Sequence, residues 1–277
     1  AHIGGAAYEE IRADFDAALA LEPGLSWSRA WLAEVCRAVG RHEEAVALLD
    51  GWLGERPHDA DALLRRGESR TVTSLFSAAL QDFDLAVALR PNSSAALAWR
   101  GEARLWAGDY QGALDDCARA VAAPEPALWA RCWHGAALLM LGRLPQADRE
   151  LSAALREDPA DAEAWAWRGE ARRKAGRARA AAADLDRSLG LRPLLGAHLN
   201  RGLARGDLGD QAGAARDLEA ARVLGPGLLA RASRGAGAGA SGRRKTLGAA
   251  LKLSLGNRTV LPTFVAGRGR SLRLRRA

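Results

Sequence analysis

Three cysteines in 277 residues are too few for a disulfide framework. β-Branched side chains are nearly as scarce, with nine Val and two Ile, and this argues against a sheet protein. No run of about 18 apolar residues is long enough to span a bilayer. The opening AHIGGAAYEE lacks the charged start and apolar stretch of a secretory signal, so the sequence reads as a cytoplasmic chain. What fills the composition instead is 62 Ala and 42 Leu, the residues that head the helix-propensity scale. The reading is an all-α chain.

The formal net charge of +7 invites a nucleic-acid reading until its location is checked. Residues 235–277 hold ten Lys and Arg and no acid, which leaves 30 basic against 33 acidic residues in 1–234, a net of −3. All of the excess positive charge belongs to the tail.

A period of 34 residues organises the rest. Pro23, Pro57, Pro91, Pro159, Pro193 and Pro226 stand 34, 34, 68, 34 and 33 apart, and Pro124 and Pro126 flank the midpoint of the double interval. Between prolines a small-residue column runs through Ala33, Gly67, Gly101, Gly135, Gly169 and Gly202. A turn column follows it at Gly40, Ser74, Gly108, Gly142, Gly176 and Gly209, then an alanine column from Ala45 to Ala214. Each period reads as two helices of about 13 and 14 residues, joined at the turn column and stopped by Pro. One such hairpin cannot bury its apolar faces alone, so neighbours must stack.

This pattern resembles the tetratricopeptide repeat, most clearly in AALAWRGEARLWAGDYQGALDDCARAVA at 95–122. The resemblance covers residues 1–230, as a lone second helix at 6–22 and then six helix pairs. It implies a right-handed α-solenoid whose first helices line a concave groove that binds other proteins. Residues 231–277 are expected to be a Gly/Ala linker and a basic tail without fixed structure. Because the chain enters inside a repeat, residues such as Ile11 and Phe15 are expected to expose apolar surface unless the chain is part of a longer protein. In that case the array would recruit partners for an enzyme.

Two sets of columns carry candidate function. Arg66, Arg100, Arg168 and Arg201 are each followed 16 residues later by an acid, Asp82, Asp116, Asp184 and Asp217. The two positions change together, to His134 and Glu150 in the fourth pair and to Leu32 and Leu48 in the first. That co-variation predicts structural ion pairs between the two helices of one hairpin. The second set is aromatic. Trp31, Trp99, Trp133 and Trp167 share one first-helix column, with Trp27, Trp129 and Trp106 in neighbouring ones. Glu34, Glu68, Glu102 and Glu170 follow three residues after the tryptophan column, on a neighbouring part of the same helix face. Exposed, these residues would bind an extended peptide carrying Arg or Lys, whose cations stack on Trp faces. Buried, they would fill gaps between repeats built mostly from alanine.

The resemblance also sets limits. Peptide-clamping arrays hold a terminal carboxylate with Lys, Arg and Asn, but the corresponding positions here are Ala30, Glu34, Arg65, Ala98 and Trp99. The asparagine ladder of glycosyltransferase-linked arrays is likewise replaced by Trp. No cofactor, metal or catalytic site is expected, because the five His and three Cys show no ligand spacing and no Ser/His/Asp order is identifiable. The Gly237-to-Gly242 stretch formally matches a dinucleotide fingerprint but follows no strand. The tail is left with two expectations. It could fold back on an acidic groove as a pseudo-ligand, or it could meet nucleic acid or an anionic membrane.

Overall fold

The computed structural model describes residues 5–22 and 27–224. Among these, every regular element is an α-helix. They fall into two compact units, one ending at Pro126 and the other beginning at Ala127. The first unit holds α1 (Gly5–Leu21), α2 (Trp27–Ala38), α3 (His42–Glu55), α4 (Ala60–Val72), α5 (Phe76–Leu89), α6 (Ser94–Ala107) and α7 (Tyr110–Ala122). The second holds α8 (Ala130–Met140), α9 (Leu144–Glu157), α10 (Ala162–Lys174), α11 (Ala178–Leu191), α12 (Leu195–Asp207) and α13 (Gln211–Leu224). Within each unit consecutive helices pack on one another, so hairpins α2/α3, α4/α5 and α6/α7 stack in the first and α8/α9, α10/α11 and α12/α13 in the second. This is an all-α solenoid built of hairpins.

Local chemistry sets the helix ends. Asp59 and Asp161 each accept from two backbone N–H groups of the first turn that follows, and Ser93 and Asp109 cap α6 and α7 by accepting from one each, Ala96 N–H and Gly112 N–H. The turn column is left-handed throughout, from Gly142 at φ 75° to Gly108 at φ 90°. Ser74 alone holds that conformation with a side chain, at φ 64°. The division into units falls in the interval where the proline period doubles. Ala123, which precedes Pro124, is extended at φ −65°, ψ 152°, because a following proline disfavours the helical region.

Small residues fill the seam inside each hairpin. Ala45, Ala79, Ala113, Ala147 and Ala181 are completely buried. Opposite them Gly67, Gly101, Gly135 and Gly169 have no room for a side chain: a Cβ on Gly135 would lie 2.5 Å from Leu151 Cγ. Gly135→Val is therefore expected to destabilise by about 1–3 kcal/mol through overpacking. Gly54, on an open face of α3 with nothing within 4 Å of its Cβ position, should respond in the opposite direction. Gly54→Ala is expected to gain about 0.4–1 kcal/mol by restricting the unfolded chain. Urea unfolding of both variants checks the two signs together.

Candidate functional site

The charged columns form clamps that hold the hairpins. Asp116 is buried on α7, and Arg100 of α6 grips it with Nε and Nη2, both at 2.7 Å. Arg66 grips Asp82 through Nε and Nη2, Arg168 grips Asp184 at 2.9 and 2.8 Å, and Arg201 grips Asp217. In the fourth hairpin His134 Nδ1 stands 3.5 Å from Glu150, which also receives Arg131 at 3.1 Å. Leu32 is buried and Leu48 half-buried where the first hairpin has no charge.

Two parts of each clamp are additional to the paired columns. A second arginine, one turn on, donates to the same buried carboxylate: Arg70 to Asp82, Arg104 to Asp116, Arg172 to Asp184 and Arg205 to Asp217. The first arginine also reaches back to the preceding hairpin, Arg66 to Asp50 at 2.7 Å, Arg100 to Asp84 at 3.0 Å and Arg201 to Asp186 at 2.7 Å. The repeated Arg-Gly-x-x-Arg was a visible signal for the second arginine. It lacked a reason until both guanidinium groups were seen on one acid. Burial alone would raise the Asp217 carboxyl, but hydrogen bonds from His198 and Arg201 and the charge of Arg205 hold it below the usual carboxylate range. Asp148 is lowered in the same way, against burial, by Arg177 and Arg172.

The tryptophan column divides. Trp133 and Trp167 are fully buried, with ring centroids 6.4 Å apart at 74°, an edge-to-face pair inside the second unit. Trp99 is buried in the first unit, and Glu102 and Glu170 are fully buried as well. These five residues cannot present a face to a peptide, which corrects the expectation that they line an open groove. Indole rings are wide enough to fill the gap that neighbouring alanines leave, and that need decides their position. Trp106 and Trp129 are half-buried, and Trp106 Nε1 lies 3.4 Å from Glu102 Oε1. The side chain of Trp27 lies outside the described residues. Trp31, at 61% exposure, is the exception in its column.

The carboxylates beside Trp31 are already paired. Arg37 of α2 donates to Glu34 at 2.6 Å and also to Glu68 of α4, and Arg65 stands 3.5 Å from Glu34. Two acids and two arginines make this rim charge-balanced, so it is no acidic trap for a basic peptide. Glu170 is held in turn by Arg173 at 3.1 Å, with Lys174 at 4.0 Å. Cys36, Cys117 and Cys132 are buried and in no disulfide, and burial pushes the thiols of Cys36 and Cys117 up, away from the reactive thiolate. Among the described residues no group of His, Cys, Asp or Glu could hold a metal ion, and no helix is long and apolar enough to cross a membrane. The linker, the basic tail and every expectation attached to them lie outside the described residues.

Comparison with known proteins agrees with this geometry. Family models described as the tetratricopeptide repeat match residues 6–66 and 134–196. Among solved structures, a tetratricopeptide repeat protein from Parabacteroides merdae ATCC 43184 is similar at 20% identity and a TM-score of 0.66, over 90% of this chain and 91% of that one. PilW, a type IV pilus biogenesis factor, is similar at 17% identity and a TM-score of 0.61, over 74% of this chain and 95% of its own. A chain of the Cut9–Hcn1 hetero-tetramer of the APC/C gives 14% identity and a TM-score of 0.65, over 82% and 45%. A search of curated proteins finds no match.

Proposed function

The chain belongs to the tetratricopeptide repeat family, and on that premise we propose that it is a non-catalytic scaffold that holds a partner protein by an extended peptide. The array at 1–230 is the binding part. The family supports a protein–protein interaction role, and the observation that carries the finer reading is Trp31. A large aromatic ring exposed to 61% stands in a column whose other tryptophans are buried, beside a rim of paired charges on α2 and α4. Trp is enriched among residues that dominate binding energy, especially where surrounding contacts exclude water.

The ligand is an extended segment with an apolar, aromatic or cationic anchor that packs on the indole face. Because Glu34 and Glu68 are neutralised by Arg37 and Arg65, the rim orients the peptide by hydrogen bonds rather than by net charge. Peptides selected from a random displayed library against the whole chain test the reading. Trp31→Ala is expected to weaken the selected peptides about tenfold or more, the effect of losing a hot-spot anchor. Its unfolding midpoint should stay within about 0.5 kcal/mol of the parent, as for an exposed position. Selected peptides that bind the variant with unchanged affinity would refute the site.

A further inference from the structure

The second helices of the second unit, α9, α11 and α13, start at the same place in the repeat, so their residues can be compared one for one. The fourth, eighth and eleventh residues of all three are buried, as Ala147, Leu151 and Ala154 are on α9. The second, sixth, tenth and thirteenth lie on the opposite side, within a sector about 80° wide at 3.6 residues per turn. Across the three helices that sector holds Arg149, Arg156, Arg179, Arg187 and Arg216, and otherwise only Pro, Ala, Gly and Val. It contains no acid. All five arginines are exposed, and none is in an ion pair or side-chain hydrogen bond among the described residues.

The acids near this face are committed elsewhere. Asp148 takes Arg172 and Arg177, Glu157 takes Arg131, Asp186 takes Arg201 and Glu219 takes Arg222. The same sector of α3, α5 and α7 in the first unit differs. It carries Glu43, Asp115 and a single arginine, Arg119, which donates to the Pro91 carbonyl. The positive face is therefore local to one unit and is no general property of the repeat. Arg149 and Arg156 stand seven residues apart on α9, and Arg179 and Arg187 eight apart on α11, about 10 and 12 Å along the helix axes. Each guanidinium can thus take a separate anionic group.

We propose that this face of α9, α11 and α13 binds the phosphate backbone of a nucleic-acid duplex, without reading base sequence. A guanidinium matches a phosphate with two parallel N–H donors, and the small residues between the arginines let a backbone approach closely. The other polyanionic partners fit the face less well. A protein would need an apolar or aromatic centre to bury, and an anionic membrane would need Trp, Phe or Leu to insert. The sector has no aromatic residue and only Val223 as a branched aliphatic one. Nucleic-acid interfaces are instead the more polar and the more strongly positive kind. This role goes beyond the reading of Trp31, which lies on a first helix of the other unit.

The probe is a fluorescently labelled DNA duplex, titrated with the full chain at salt concentrations from about 50 to 200 mM. Each phosphate contact adds about 0.9 to the steepness with which log affinity falls against log salt, so five contacts supply about 4–5. The variant carrying Arg149→Gln, Arg156→Gln, Arg179→Gln, Arg187→Gln and Arg216→Gln is expected to lose that share of the slope. The variant with Lys at the same five positions keeps the charges and should keep the slope. Any contact made by the basic residues of 235–277 is common to all three proteins and cancels in the difference. Because the five side chains are exposed and unpaired, both variants should melt with the parent. The proposal fails if no duplex binding is detected at about 50 mM salt, where such contacts are strongest. It fails equally if the Gln variant keeps the parent's slope and affinity, which would leave the duplex to 235–277 alone. Loss of binding to phosphatidylserine vesicles in the Gln variant, with its duplex slope unchanged, would overturn it in favour of a membrane on this face.

Discussion

Asp116→Leu is expected to cost about 3–5 kcal/mol of unfolding free energy, because removing one member of a buried ionic cluster strands the charge of the others. Asp116 is 2% exposed and takes both Arg100 and Arg104, so leucine would leave two guanidinium groups facing an apolar side chain. Arg100→Leu should cost less. Arg104 would still neutralise the carboxylate, and the partner lost from Asp84 is an exposed pair worth about 0–1 kcal/mol. The ordering separates the observed three-membered clamp from a simple pair, in which the two single variants would be about equal. The variant with all three replaced, Arg100→Leu, Arg104→Leu and Asp116→Leu, is expected to recover most of the loss, since an apolar seam of similar volume can match a buried ionic cluster. Urea unfolding followed by circular dichroism gives the four values. Equal effects for Asp116→Leu and Arg100→Leu would show that Arg104 contributes nothing.

Trp167→Ala is expected to be comparably severe, at about 3–5 kcal/mol, the range for truncating a buried aromatic. Its ring is fully buried and meets Trp133 edge-on, so truncation removes contact area on both sides and leaves a cavity. Trp31→Ala, in the same column, should change stability by only about 0.5 kcal/mol. The comparison is direct because the two residues share a repeat position and differ only in surroundings. Acrylamide quenching gives an independent check. Fluorescence lost on Trp31→Ala should be the readily quenched part, and fluorescence lost on Trp167→Ala the protected part. A destabilisation below about 1 kcal/mol for Trp167→Ala would mean that the ring lies in a site able to collapse at little cost.

Much of this molecule is legible before any coordinates. Helix type, hairpin length and turn position follow from residues acting on their immediate neighbours. Gly142 and its equivalents permit a left-handed turn, Asp59 and Asp161 cap the helices they precede, and Ala123 is held extended by Pro124. The co-varying Arg and Asp columns were legible for a related reason. Residues 16 apart meet inside one hairpin, and a change in one is visible as a change in the other. The second arginine of each clamp was harder to read, because Arg70 or Arg104 alone looks like an ordinary solvated charge on a helix. The pairing of Glu34 and Glu68 is hidden on the same ground: their partners Arg37 and Arg65 are spread over two helices of successive hairpins.

The sequence by itself determined the repeat, the all-α class and the hairpin seams, since each depends on contacts within one period. Only the tertiary structure decided which members of one column are core and which are surface. Trp133 and Trp167 are buried because each supplies cover for the other, whereas the column beside Trp31 continues as Arg65, whose guanidinium pairs with Glu34 and leaves the indole in solvent. The residues are chemically identical and share one repeat position. Their exposure differs because it depends on the side chain that the next hairpin brings against them.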